Sequence, residues 1–140
     1  MRRYILDSGP AFDYLFRRKG IHLRVDQLRL RGFRIGIGLP TLGEIAAGIE
    51  RSASRDKSWL IAKRYLNAFV LWPFNKPAAL EYGIIHGELR RLGRPMQNID
   101  IMIAAIARSL GSSVVVTNDS DLSAIPNLNV ENWSLPPSAP

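Results

Sequence analysis

The 140-residue chain contains no cysteine, which excludes disulfides, zinc ribbons, thiol nucleophiles and thioether-attached haem together. Its two histidines, His22 and His86, are too few for a His-rich metal site or a histidine relay, and neither is assigned a catalytic role. Any metal must therefore sit on oxygen. No run approaches the roughly 18 to 20 apolar residues of a membrane helix, and Met1-Arg2-Arg3-Tyr4-Ile5-Leu6 meets Asp7 too early for a signal peptide. These absences predict a cytoplasmic chain with no membrane partner. A phosphate-cradling loop is missing too, because Gly36-Ile37-Gly38 has neither the third glycine nor the following lysine such motifs require.

What is present is 46% apolar and 22% charged, enough for one globular core and too little for two. Residues 1–133 are read as a single domain and residues 134–140 as a loose Pro-rich tail. The net charge of +7 is uneven: residues 1–34 carry nine Lys/Arg against three Asp, or +6 of the total. Such a concentration attracts a phosphate backbone, although solvated helix faces also carry charge of this kind.

Short β-prone runs alternate with helical patterns. Tyr4-Ile5-Leu6 is a strand that stops at Asp7-Ser8-Gly9-Pro10, and Phe12, Leu15 and Phe16 follow at helical spacing. A second helix runs from Ile21 to a stop at Gly32, and Phe33 to Leu39 is strand two. Helices are then predicted from Pro40 through Ile49, through Trp59 to Phe69, and from Asn75 to Arg91 after a short Val70-Leu71-Trp72 strand. Asn98 is read as the cap of a helix ending at Gly111, and Val114-Val115-Val116 as a buried parallel strand. This alternation predicts an α/β fold with a central, mainly parallel sheet of about five strands between two helical layers.

In such sheets ligands bind outside the carboxyl ends of the strands. The residues placed there are acidic: Asp7 ends strand one, Glu44 opens the helix after strand two, Asp100 opens the helix before the Val114 strand, and Asp119 ends that strand. Each has an ordinary local use. Asp7 suits an N-cap, Thr41-x-x-Glu44 a capping box, Asp100 a first turn and Asp119 an Asx-turn. Together, however, four carboxylates on one sheet edge repel one another unless a cation sits among them, and oxygen donors select Mg²⁺ or Mn²⁺. One or two such ions activate water and stabilise a phosphoryl transition state.

The ordered blocks Tyr4-Ile5-Leu6-Asp7-Ser8, Thr41-Leu42-Gly43-Glu44-Ile45-Ala46, Gly93-Arg94-Pro95 with Asp100-Ile101-Met102-Ile103-Ala104-Ala105, and Val116-Thr117-Asn118-Asp119-Ser120-Asp121 span nearly the whole chain. In these blocks the sequence resembles the PIN-domain ribonucleases, specifically the VapC toxins of bacterial toxin–antitoxin pairs. The resemblance implies a three-layer α/β/α PIN-like fold with catalytic acids at Asp7, Glu44, Asp100 and Asp119. It also implies Mg²⁺- or Mn²⁺-dependent endonucleolytic cleavage of structured RNA such as tRNA or rRNA, by a metal-activated water that leaves 5′-phosphate and 3′-hydroxyl ends. A homodimer and a VapB-type antitoxin, its tail lying in an apolar groove, are the implied partners.

The sequence departs from the family at Gly9, where relatives usually carry Asn, so an orienting amide is missing there. The loop after Thr117 is short and leaves the fourth acid between Asp119, favoured as nearer the strand end, and Asp121, a candidate second metal ligand. Ser8, Thr117 and Asn118 are candidates for orienting the ligands or for ordinary turn hydrogen bonds. Leu15, Phe16, Trp59 and Phe69 are candidates for the antitoxin groove or, more commonly at helical spacing, for core. Charge placement names Arg17, Arg18, Lys19 and Arg24 for RNA contact. Competing readings are a housekeeping RNA-processing nuclease without antitoxin, a non-catalytic RNA- or partner-binding module, and a nucleotide-binding regulator with an acidic Mg²⁺ pocket.

Overall fold

Alternate residues of the first strand face opposite ways, and this divides the molecule into layers. A computed structural model describes residues 2–134. In it Arg3–Leu6 (β1) sends Tyr4 and Leu6 into one apolar cluster and Ile5 into another, and Ser113–Val116 (β4) does the same with Val114 and Val116 against Val115. Arg34–Gly38 (β2), Val70–Trp72 (β3) and Asn129–Glu131 (β5) complete a sheet in the order β3-β2-β1-β4-β5 with every pairing parallel. The predicted parallel five-stranded sheet between helical layers is thus the observed one.

Helices Ser8–Leu15 (α1), Ile21–Leu30 (α2), Leu39–Glu50 (α3) and Arg55–Leu66 (α4) supply the first cluster, with Leu15, Val25, Ile45 and Ala62 all fully buried. The second is built from Lys76–Arg91 (α5) and Asn98–Leu110 (α6), where Ile85, Leu89, Ile103 and Ile106 face Ile5 and Val115. Of the four groove candidates, Leu15 and Phe69 are core, while Phe16 and Trp59 are half-buried against that same core. Among the described residues no helix is long and apolar enough to cross a membrane.

The glycines of strand two have a packing role. A Cβ on Gly36 would stand 1.9 Å from the Val70 carbonyl oxygen, and one on Gly38 would stand 2.8 Å from Ile106 Cδ1. They admit β3 and α6 to close range, as glycine does where another backbone must approach.

Several boundaries differ from the sequence reading. Strand two ends at Gly38 and Leu39 already belongs to α3, because Gly38 is the N-cap and Pro40, with its fixed φ, sits in the first turn. The cap of α6 is Gln97, not Asn98, whose Oδ1 instead accepts a 3.0 Å hydrogen bond from the Tyr82 hydroxyl on α5. A 3₁₀ turn at Ser120–Ala124 and the three-residue β5 carry no periodic signal of their own. The tail from residue 135 onward lies outside the described residues.

Candidate active site

The chain leaves β1 towards β2 and β3 on one side, then crosses through α5 and α6 to β4 on the other. Beyond β1 and β4 the connections diverge, which is where an open parallel sheet forms its crevice. Asp7 lies there, 9% exposed, its backbone N–H held by the Val116 carbonyl at 2.8 Å. Its Oδ1 accepts from the Ser8 backbone N–H at 2.9 Å and caps α1, while its Oδ2 accepts from Thr117 Oγ1 at 2.8 Å. The capping role and the site role coexist on the two oxygens of one carboxylate.

Thr117, 2% exposed, also accepts from the Asp119 backbone N–H at 3.0 Å. One buried hydroxyl thus fixes the side chain of the first acid and the backbone of the fourth. Asp119 Oδ1 accepts from the Asp121 N–H at 2.9 Å, the Asx-turn expected from its sequence, and opens the 3₁₀ turn. Ser8 acts through its backbone, since among the described residues its hydroxyl has no hydrogen bond.

Glu44 and Asp100 are different. The Thr41-x-x-Glu44 capping box does not form: α3 begins two residues before Thr41, so Glu44 sits in its second turn and is free of any capping duty. Thr41, on the same face one turn earlier, is fully buried with its hydroxyl unpartnered. Asp100 lies in the first turn of α6. Among the described residues neither acid has a hydrogen bond or a cation, and both are half-buried.

Burial, then the charges of Asp7, Asp119 and Asp121, push the Asp100 carboxyl from its ordinary 3.8 to about 6. Burial, then Asp7 and Asp100, raise Glu44 as well. The five acids singled out in the sequence therefore share one field. Asp119 acts on Asp100 more strongly than Asp121 does, and Asp121 is paired at 3.5 Å with Arg94. Arg94 was not among the sequence candidates; its signal was a lone cation in Gly93-Arg94-Pro95 just before the helix that carries Asp100.

Asn118 is exposed beside Gly9, where a Cβ would meet its Nδ2 at 3.4 Å. The proposed RNA contacts are not beside the crevice. Arg17, Arg18 and Lys19 lie at the far end of the eight-residue α1, about 12 Å along its axis from Asp7. Arg17 stacks 3.5 Å from the Tyr65 ring centre, Arg18 lies 5.5 Å from that of Phe16, Lys19 pairs with Asp13 at 3.6 Å, and Arg24 lies 5.0 Å from the Trp133 ring.

The donors suit a hard divalent cation: all are oxygens, and two carboxyls are held above their ordinary range by burial and then by neighbouring negative charge, the second of which such an ion would cancel. Among the described residues no three acidic or imidazole groups grip a common point as they stand. Among the described residues Glu44, Asp100 and one oxygen of Asp119 have no partner to restrain their approach to an ion.

The PIN-domain family model matches residues 4–128. The chain is 31% identical over 137 residues to ribonuclease VapC1 of Haemophilus influenzae, covering 94% of this chain and 98% of that one. It is 29% identical over 133 residues to the tRNA(fMet)-specific endonuclease VapC of Salmonella typhimurium, covering 95% and 99%. The crystal structure of DNA-bound VapBC from Salmonella typhimurium superimposes with a TM-score of 0.85 at 27% identity, covering 95% of this chain and 99% of that one.

Proposed function

The chain belongs to the PIN-domain family and within it to the VapC ribonucleases, and from that premise we propose an endoribonuclease toxin that cuts structured RNA, tRNA or rRNA, with Mg²⁺ or Mn²⁺. Its site is Asp7, Glu44, Asp100 and Asp119, with Asp121 at the margin. The observation that carries this reading is the set of acids brought to the topological switch point, where among the described residues Glu44 and Asp100 have neither a cation nor a hydrogen-bond donor, and where burial and then neighbouring carboxylates push the Asp100 carboxyl up to about 6. A fold does not keep such a cluster for stability, because each acid raises the cost of ionising the next.

Asp7 is kept as an oriented carboxylate by its two donors, Ser8 N–H and Thr117 Oγ1. Thr117 sets the backbone from which Asp119 enters the crevice. Glu44 and Asp100 hold protons more readily than ordinary acids and give them up when positive charge arrives. The metal, when bound there, supplies Lewis acidity and stabilises the charge of the phosphoryl transition state. Arg17, Arg18, Lys19 and Arg24 contact the RNA backbone at a distance from the cut, a placement that sets affinity rather than chemistry.

A VapB-type antitoxin is the proposed partner, supported by the VapBC complex among the structural relatives. A second copy of the chain is the other, supported by Leu80 and Ile84, 63% and 50% exposed on α5.

The test is total cellular RNA incubated with antitoxin-free protein in Mg²⁺, Mn²⁺ or EDTA, beside Asp7→Asn and Asp100→Asn, with the new ends mapped. Discrete cuts that require both metal and both aspartates support the reading. RNA left equally intact by folded wild type and variants sinks it and leaves the binding module.

A further inference from the structure

Where α5 ends, the chain turns through a Schellman motif. Gly93, at φ +66°, donates its N–H to the Arg90 carbonyl at 3.1 Å, and Arg94 donates to the Leu89 carbonyl at 3.0 Å. The motif fixes Arg94 and Pro95 as one wall of a pocket of about 290 Å³ between the end of α5 and the first turn of α6. Its floor is apolar, formed by Leu89 and Ile101, each 2% exposed, with Pro95 and Met96 at the side. His86, Arg90 and Arg94 form the rim, and no carboxylate lines it.

The pocket adjoins the acidic crevice at two points. Ile101 follows Asp100 directly, and Arg94 belongs to the pocket wall while lying 3.5 Å from Asp121 Oδ1. The volume falls near the lower end of the roughly 300 to 1,000 Å³ of small-ligand pockets. An apolar slot with a ring and two guanidinium groups at its mouth matches the way unstacked RNA bases are received: a flat apolar face inside, a phosphate at the basic lip.

We propose that this pocket receives one unstacked RNA base next to the scissile phosphate and so contributes sequence preference to the cut. The proposal rests on the nuclease reading. Arg90 and Arg94 hold the phosphate of that nucleotide, Met96 and Ile101 cover the base, and the adjoining phosphodiester is delivered to the carboxylates.

The test uses the full chain with ¹³C-methyl methionine, titrated with each of the four nucleoside 5′-monophosphates and with ribose 5-phosphate as the base-free control. The expected result is a saturable shift of the Met96 methyl signal with at least one nucleotide and none with ribose 5-phosphate, and an apparent Kd raised at least fivefold by Arg90→Ala. In the mapped RNA ends, Met96→Trp, which fills the pocket, is expected to change the base preference beside the cut. A Met96 signal that ignores all four nucleotides, or answers ribose 5-phosphate equally, overturns the base pocket even if RNA is cut. A base-dependent shift in a protein that cuts no RNA keeps the base site and removes the nuclease reading instead.

Discussion

The two ends of α6 treat charge in opposite ways. Near its start Asp100 faces Asp7, Asp119 and Asp121 with no cation among its partners, and its carboxyl is pushed up to about 6. Near its end Arg108, 13% exposed, is gripped by Glu88 at 2.9 Å, Glu81 at 3.0 Å and the Pro126 carbonyl at 3.2 Å, which ties α5, α6 and the approach to β5 together. Like charges left together at one end and opposite charges matched at the other separate a site from a staple. The matched cluster serves the fold, while the unmatched one costs it stability, a cost that the proposed function offsets through a bound cation.

Breaking the unmatched end should have the largest effect. Asp100→Asn is expected to lower the rate of metal-dependent RNA cleavage at least about 10²-fold, the scale for losing one charge-stabilising group at a reacting centre, measured under single-turnover conditions. Arg108→Met should do the reverse. It strands two partly buried glutamates and is expected to cost about 3 kcal/mol in urea unfolding, with cleavage by the folded fraction near wild type. An Arg108→Met protein that loses activity without losing stability would erase the distinction between the two ends.

The comparison is sharpened by pH. The folded Asp100 carboxyl titrates near 6 and the unfolded one near 3.8, so between these values the folded protein binds more protons. In metal-free protein Asp100 is therefore expected to contribute stability that is fully present below about pH 4 and is lost as pH rises to about 6. The loss is about 1 kcal/mol once solvent screening of a half-exposed group is allowed for. Saturating Mg²⁺, or Asp100→Asn, should flatten this slope in denaturant titrations across that range. The smallest effect belongs to the remote basic cluster: Arg18→Ala is expected to weaken RNA binding by an Asp7→Asn protein and reduce the log–log salt slope by about one.

Much of this was legible in the chain. Short continuous apolar runs placed β1 and β4, helical spacing and capping signals placed the helices, and the rule that ligands sit beyond strand ends selected Asp7, Glu44, Asp100 and Asp119 as candidates. The errors were local and geometric. Thr41-x-x-Glu44 has the letters of a capping box, but Pro40 in the first turn starts α3 early and moves both residues inside the helix. Asn98 has the chemistry of a cap, yet Tyr82 on another helix takes its oxygen. Arg17 to Lys19 look adjacent to the first acid in sequence, and a helix of eight residues carries them to its far end.

The sequence by itself determined the alternation of strands and helices, the lack of cysteine and the acidic residues at the strand ends, because periodicity and residue type are local properties. Only the tertiary structure decided that Thr117 serves Asp7 and Asp119 together, that among the described residues Glu44 and Asp100 are left without partners, and that Arg94 links the pocket at the end of α5 to Asp121. Those relations depend on the distance between groups far apart in the chain, and electrostatic energy follows distance and burial rather than sequence order.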